Sequence, residues 1–323
     1  MQEAGNEAQV VVSVRDLRKS YGQVPALAGV SFEVRRGAVF AYLGPNGAGK
    51  TTTINILAGL LPRDGGEVAV CGLDVSAHPV EVKSRIGVVT DSSNLYPELK
   101  CRRNLEYLGE LYGMASSERR ARAAELLERF GLAEKAGQPF RSLSRGMKRR
   151  LTIAAALVHR PEVLFLDEPT SGLDVPGARS LRDMVRKVAQ DGTTVFLTTH
   201  NLAEAEELAD DVAILIRGSM VARGTVEQLR GQVGGARSIT VTFSTEVPPR
   251  RLKEACPSIR SAEPGDEAIR LEAAQLHSAV LELAEFVKLE GLHVEELVCA
   301  PPSLEDAFVK VLDESGAGGE GRA

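Results

Sequence analysis

Apolar and polar positions change rhythm several times along the chain. Residues 10–14 and 31–34 read as short strands. Residues 39–43 are a continuous apolar run that ends in a glycine-rich loop, the form of a strand buried on both faces. A helix is expected over 51–61, stopping near Pro62, and further strands over 67–71 and 86–90. Between about 97 and 159 the rhythm becomes helical. Leu126, Leu127 and Phe130 suit one face of a helix that Ser116 or Ser117 would cap, and Ser144 would cap another carrying Leu151, Ile153 and Leu157. Strands return at 163–166, 194–199 and 212–216, separated by helical segments. Such alternation predicts a mainly parallel α/β sheet with a mostly helical insertion.

Residues 231–237, which include Gly-Gln-Val-Gly-Gly-Ala, read as a linker after a first domain over 10–230. Beyond it, 238–243 alternates as a half-buried strand does, 274–290 has helical periodicity, and 293–299 is another strand. A short helix is expected over 303–312, after Pro301-Pro302. Residues 238–312 thus predict a second, small α/β domain, and 323 residues suit two domains. Residues 1–9 are polar and acidic, without the apolar stretch of a secretory signal, and are expected to be a flexible tail. Residues 313–323 are glycine-rich and are expected to be disordered. No internal repeat has a solenoid period.

Composition narrows the function classes. A hydrophobic fraction of 43% supplies a sizeable core. Lys and Arg number 39 against 44 Asp and Glu, a formal charge of −5 that disfavours a general nucleic-acid binder. The longest apolar runs fall far short of the roughly 18 residues that span a bilayer. Cys71, Cys101, Cys256 and Cys299 are widely spaced and form no CxxC pair. They are read as buried, reduced cysteines rather than a zinc site or a disulfide framework.

The sharpest local signal is Gly44-Pro-Asn-Gly-Ala-Gly-Lys50-Thr51, which fits G-x-x-x-x-G-K-[ST] between a buried strand and a helix. A chain of this length meets that pattern by chance about 1% of the time. Backbone N–H groups of such a loop converge on phosphate oxygens, and the following helix N-terminus adds positive potential. Lys50 is expected to reach the β- and γ-phosphates, and Thr51 to bind Mg²⁺ through its hydroxyl.

A second apolar strand ends in Asp167-Glu168. The carboxyl edge of a parallel sheet is where phosphates sit, so Asp167 is placed to hold Mg²⁺ and Glu168 to polarise an attacking water. A third strand, 194–199, ends at His200. If that edge adjoins Asp167, the imidazole can meet a γ-phosphate.

Together these residues resemble the ATPase subunits of ATP-binding cassette (ABC) transporters. Residues 44–51 match Walker A and 163–168 match Walker B. Leu143-Ser144-Arg145-Gly146-Met147 is similar to the family signature, Ser171-Gly172-Leu173-Asp174 to the D-loop, and His200 falls at the switch histidine. Tyr21 stands where the family places an aromatic that stacks on adenine. The resemblance covers roughly residues 10–230, with six motifs in order. It implies a P-loop NTPase fold of ABC type. It also implies ATP contacts from Tyr21, Gly44, Pro45, Asn46, Gly47, Ala48, Gly49, Lys50, Thr51 and Thr52. Across a head-to-tail dimer, with a second copy or a related subunit, further contacts would come from Ser144, Arg145, Gly146 and Asp174. Mg²⁺ ligands would be Thr51, Asp167 and, at the family's Q-loop glutamine position, Asp91. Two departures stand out: Arg145 replaces the first signature glycine, and Asp91 is shorter than glutamine and charged.

Met147, Leu95-Tyr-Pro-Glu-Leu99 and Pro302-Ser-Leu-Glu-Asp-Ala-Phe308 are similar to subunits that drive drug, antibiotic and sodium export. The implied function is the ATP-hydrolysing motor of an exporter, held at the cytoplasmic face of the membrane by a separate permease. Residues 91–103, with Glu98, Arg102 and Arg103, would face that partner. Two other readings are an ABC ATPase acting on nucleic acid or ribosomes, and a nucleotide-dependent regulator with little turnover. The single cassette, the absence of sustained heptads and the net negative charge disfavour the first. Glu168 and His200 argue against the second.

Overall fold

The computed structural model describes residues 9–90, 95–232, 237–265, 268–273, 275–300 and 303–314. Its elements run β1 (Val10–Tyr21), β2 (Val24–Arg35), β3 (Val39–Leu43), α1 (Lys50–Leu57), β4 (Gly65–Val70), β5 (Leu73–Asp74), α2 (Pro79–Arg85) and β6 (Ile86–Val89). Then come α3 (Cys101–Leu111), α4 (Ser116–Arg129), α5 (Arg145–Ala156), β7 (Val163–Asp167), α6 (Val175–Gln190), β8 (Thr194–Thr199), α7 (Leu202–Leu208), β9 (Asp211–Ile216) and β10 (Ser219–Gly224). The chain divides into two compact units between Thr225 and Val226.

The first unit has two sheets. One is six-stranded, in the order β10-β9-β3-β8-β7-β6, and all its pairings are parallel except β9 with the edge strand β10. Val-Phe-Ala-Tyr-Leu of β3 and Val-Leu-Phe-Leu-Asp of β7 are buried at every position, as strands covered on both faces must be. The second sheet is antiparallel, in the order β2-β1-β4-β5. Phe32 of β2 stacks on Phe40 of β3, ring centroids 5.4 Å apart, and Phe40 stacks on Phe196 of β8 at 5.3 Å. Burial of each ring stabilises the fold by roughly 1.5–3 kcal/mol, with about 0.5–1.5 more for each aromatic pair. This joint core packs β2 against β3, β7 and β8, and the candidate site residues follow the carboxyl ends of β3, β7 and β8.

Ser144 is the N-cap of α5, and its Oγ accepts from the Met147 N–H at 3.3 Å. The cap expected at Ser116 or Ser117 is corrected. Both serines are helical, the N-cap is Ala115, and Ser116 Oγ instead accepts from Arg120 Nη2 at 2.7 Å. Before α3, a segment without regular structure is tied down by buried Asn104. Its Oδ1 accepts from the Tyr96 N–H at 2.8 Å and its Nδ2 donates to the Tyr96 and Leu99 carbonyls at 3.1 Å each.

The second unit comprises α8 (Val226–Gln232), β11 (Arg237–Phe243), α9 (Pro249–Ala255), β12 (Ile259–Pro264), β13 (Ile269–Ala273), α10 (Leu276–Leu289), β14 (Val294–Ala300) and α11 (Leu304–Glu314). Its antiparallel sheet runs β12-β13-β11-β14. Leu252, Leu283 and Phe286 of α9 and α10 pack into a core with Ile239, Val241 and Leu271. Within the stretch read as a linker, 231 and 232 end α8 and 237 opens β11, while 233–236 lie outside the described residues. The expected tails lie outside them too, apart from residue 9 and the last turn of α11. The cysteines are unpaired, but not all are buried: Cys71 is half-buried and Cys299, on the edge strand β14, is exposed. No described helix is long and apolar enough to cross a membrane.

Glu204 of α7 is fully buried, and neither carboxyl oxygen makes a well-aligned hydrogen bond among the described residues. Burial raises its pKa above 4.5, and the Thr199 and Thr170 hydroxyls offset only part of that. An acid whose folded pKa is raised costs stability once pH passes its unfolded value, and the cost grows until the folded pKa is reached. Glu204→Gln is therefore expected to raise Tm at pH 7–8, by about 2–4 °C per kcal/mol relieved. The gain should vanish below pH 4.5. Thermal unfolding followed across that range checks both, and a gain that persists at low pH would show that desolvation of the charge is not its cause.

Candidate functional site

The loop after β3 turns sharply into α1. At Gly44 a Cβ would collide with the Leu215 carbonyl of β9. Gly49 has φ 106°, and a Cβ there would lie 2.5 Å from the Ala26 carbonyl. Only glycine fits either position, and the loop backbone is thereby held close against β2 and β9. Lys50 opens α1, but its side chain folds back along the loop. Its Nζ donates to the Gly44 carbonyl at 2.7 Å and the Pro45 carbonyl at 3.1 Å, and the side chain is only 6% exposed.

Beside the loop stands the end of β7. Thr51 Oγ1 donates to Asp167 Oδ2 at 2.9 Å, and Thr198 Oγ1 of β8 donates to Asp167 Oδ1 at 2.5 Å. Asp167 is nearly buried and is thus held from both sides. Glu168 follows in a left-handed conformation, φ 46°, unusual for a residue other than glycine. Its N–H donates to Thr198 Oγ1 at 3.1 Å. Its Oε1 lies 3.1 Å from Lys50 Nζ, an ion pair without hydrogen-bond alignment. Its Oε2 meets His200 Nδ1 at 2.8 Å. An ionised carboxylate only accepts, so Nδ1 carries the hydrogen of that bond.

Lys50, Thr51, Asp167, Glu168 and His200 thus converge from three parallel strands at their carboxyl ends, the usual ligand edge of an open α/β sheet. An open cleft of about 380 Å³ adjoins them, lined by Tyr21, Pro25, Asn46, Gly47, Gly49, Lys50, Thr51, Thr52 and Glu168. Tyr21, 53% exposed at the end of β1, presents its ring at the outer end of the loop. Pro45 and Ala48 belong to the loop and are joined by an Ala48 N–H to Pro45 carbonyl bond of 3.2 Å.

The remaining expected residues lie elsewhere. Ser144, Arg145 and Gly146 start α5 and do not line this cleft. Asp174 is the N-cap of α6, its Oδ1 accepting from the Gly177 N–H at 3.1 Å. Asp91 lies outside the described residues. Sequence reasoning missed two contributors. Thr198 orients both Asp167 and Glu168, and Arg149 of α5 donates to the backbone carbonyls around the Glu168 turn.

Chemically the cluster suits phosphoryl transfer to water. Lys50 and the loop N–H groups can hold phosphate oxygens, and Thr51 with Asp167 offers hard oxygen ligands to Mg²⁺. No group of three His, Cys, Asp or Glu that could hold a metal occurs among the described residues. Glu168 Oε1 is buried and accepts no hydrogen bond, which leaves it an acceptor for a water or ligand proton in the cleft.

The family described as ABC transporter matches residues 27–171. The daunorubicin resistance ATP-binding protein DrrA3 of Streptomyces coeruleorubidus is 45% identical over 230 residues, 71% of this chain and 73% of its own. The Nod factor export ATP-binding protein I of Ralstonia nicotianae is 35% identical over 301 residues, 93% of each chain. Among solved structures, the dimeric post-hydrolysis state of the ATP-binding cassette MJ0796 bound to ADP and Pi is similar with a TM-score of 0.61 and 28% identity. That likeness covers 66% of this chain and 98% of the other.

Proposed function

The chain belongs to the ATP-binding subunits of ABC transporters, and we propose that it hydrolyses ATP at the cleft beside Lys50 to drive export through a separate membrane permease. The observation that carries this reading is the convergence of Lys50, Thr51, Asp167, Glu168 and His200 at one sheet edge. In the proposed mechanism Lys50 and the loop N–H groups bind and orient the β- and γ-phosphates. Thr51 and Asp167 hold Mg²⁺, which when bound neutralises phosphate charge. Glu168 takes up or orients the proton of the attacking water through Oε1. His200 fixes the Glu168 carboxylate through Oε2 and lies within reach of the γ-phosphate. Tyr21 stacks on the base.

Export as the direction draws on relatives named for drug resistance and Nod factor export. Two copies, or this chain and a related subunit, would close on ATP. Ser144 and Gly146 of one would meet the phosphates bound by the other, in keeping with the dimeric cassette it resembles. A cavity of about 430 Å³ lined by Leu60, Val88, Leu95, Leu108 and Tyr112 adjoins the segment expected to face the permease, which supports a partner helix there.

Membrane attachment should then depend on the partner. Expressed with its permease, the protein is expected in the membrane fraction; expressed alone, in the supernatant. Membrane association that survives deletion of every candidate permease would contradict the reading. So would binding to RNA or DNA that weakens steeply with salt.

A further inference from the structure

Arg149 lies one turn into α5 and extends away from the helix toward the ends of two strands. Its Nη1 donates to the Thr90 carbonyl at 2.8 Å. Its Nη2 donates to the Asp167 carbonyl at 2.5 Å and the Glu168 carbonyl at 2.9 Å, and its Nε to the Pro169 carbonyl at 3.0 Å. One guanidinium therefore holds three consecutive carbonyls of the turn after β7 and one at the end of β6. Only a planar fork with five N–H donors can span them; a lysine ammonium is a point charge with three tetrahedral donors.

The turn so held is strained. Glu168 has φ 46°, and a non-glycine residue keeps such a conformation only where its surroundings over-determine it. Thr198 fixes the N–H side of Glu168 and Arg149 fixes the carbonyl side. A second guanidinium from the same helix face reinforces the grip. Arg145 Nη2 donates to the Ser171 carbonyl at 3.3 Å and lies over Gly172, where any Cβ would collide with it.

We propose that Arg149 is a positioning residue for hydrolysis: by clamping the 167–169 carbonyls it sets the Glu168 carboxylate between Lys50 and His200. It thereby ties that carboxylate to α5, the helix that begins at Ser144. The inference rests on the hydrolytic reading above. A shift of α5 relative to β7 would be carried to Glu168 through these hydrogen bonds.

The test compares wild type, Arg149→Met and Arg149→Lys in the full chain. Three quantities are read: kcat for phosphate release, Kd for Mg-ATP, and amide hydrogen exchange of the nucleotide-free protein. Arg149→Met is expected to lower kcat by about 10²-fold, the scale of a misplacement near 1 Å. Its Kd should stay within about twofold of wild type, since the hydrogen bonds that Arg149 makes to this turn go to backbone carbonyls and not to the side chains that would hold phosphate or Mg²⁺. The Glu168 and Ser171 amides, bonded to Thr198 and to the Glu168 carbonyl, should exchange faster. Arg149→Lys should recover only part of the loss, to roughly a tenth of wild-type kcat. Turnover of Arg149→Met within twofold of wild type overturns the proposal, and so does a Kd loss as large as the kcat loss. If Arg149→Met does not fold, Arg149→Lys decides by the same readings, and wild-type kcat with lysine overturns it. A wild-type chain that releases no phosphate contradicts the hydrolytic reading instead. Exchange at Glu168 and Ser171 then decides alone, and unchanged protection in both variants overturns the role of Arg149.

Discussion

Lys50→Ala is expected to weaken Mg-ATP binding by about 10–10²-fold. The estimate follows from the loss of charge-assisted hydrogen bonds worth roughly 1.5–3 kcal/mol. The nearly buried ammonium is already aimed along the loop by the Gly44 and Pro45 carbonyls, so little ordering is left to do on binding. Its removal also takes away the cation 3.1 Å from Glu168 Oε1, leaving a carboxylate facing the phosphate site without its counter-charge. Both effects oppose an anionic ligand. Lys50→Arg is expected to recover little, because the planar guanidinium does not fit a nearly buried channel closed by two backbone carbonyls. Calorimetric titration checks this; affinity equal to wild type in Lys50→Ala would remove residues 44–51 from nucleotide binding.

The parts of the site legible in the sequence are those where one local rule dominates. Strands β3, β7 and β8 are covered on both faces, so β3 and β7 are apolar up to their glycine-rich or charged ends, and β8 buries Val195-Phe196-Leu197 between threonines. The candidate site residues follow those ends, which is why Lys50, Asp167 and Glu168 could be named from spacing, whereas His200 stood out only through the family resemblance. Strands β1 and β2 were read too short for a physical reason. Asp16 has φ 49°, and the pairing register slips between Val14 and Leu17, so the alternation breaks in mid-strand. Opposite that break Gly29 has φ 97°, and a Cβ there would lie 2.7 Å from Asp16 Oδ1. Helix α3 was hidden differently, because the loop before it is organised by buried Asn104, a polar residue that periodicity counts as surface.

Arg149 shows a third limit. Lys148, Arg149 and Arg150 are adjacent and chemically alike, and no local rule says which of them turns inward. Only the packing of α5 against the ends of β6 and β7 selects Arg149 to meet the carbonyls of residues 90 and 167–169. Contacts made to backbone carbonyls carry no side-chain signature at the receiving end, so spacing cannot reveal them.

The largest kinetic effect is expected at Glu168. A group that accepts or orients the proton of an attacking water contributes about 10²–10⁴-fold, roughly 3–5 kcal/mol of barrier. Glu168→Gln keeps the shape of the side chain and can still meet His200, but it cannot accept a full proton at the buried Oε1 position. The turn that presents it, held by Thr198 and Arg149 through backbone atoms, should be unchanged. Lys50, Thr51 and Asp167 remain, so ATP should bind at least as well, and loss of the Glu168 charge relieves repulsion of the phosphates. With binding intact and cleavage nearly stopped, the ATP-bound form should accumulate as a dimer. His200→Ala should slow turnover less severely, since it removes the support of Oε2 and leaves Oε1 in place. Phosphate release and sizing chromatography with Mg-ATP are read on the same samples. Glu168→Gln turning over at the wild-type rate would take Glu168 out of the mechanism. Loss of turnover with a protein that stays monomeric in Mg-ATP would leave the catalytic role standing and count against closure of two subunits on the nucleotide.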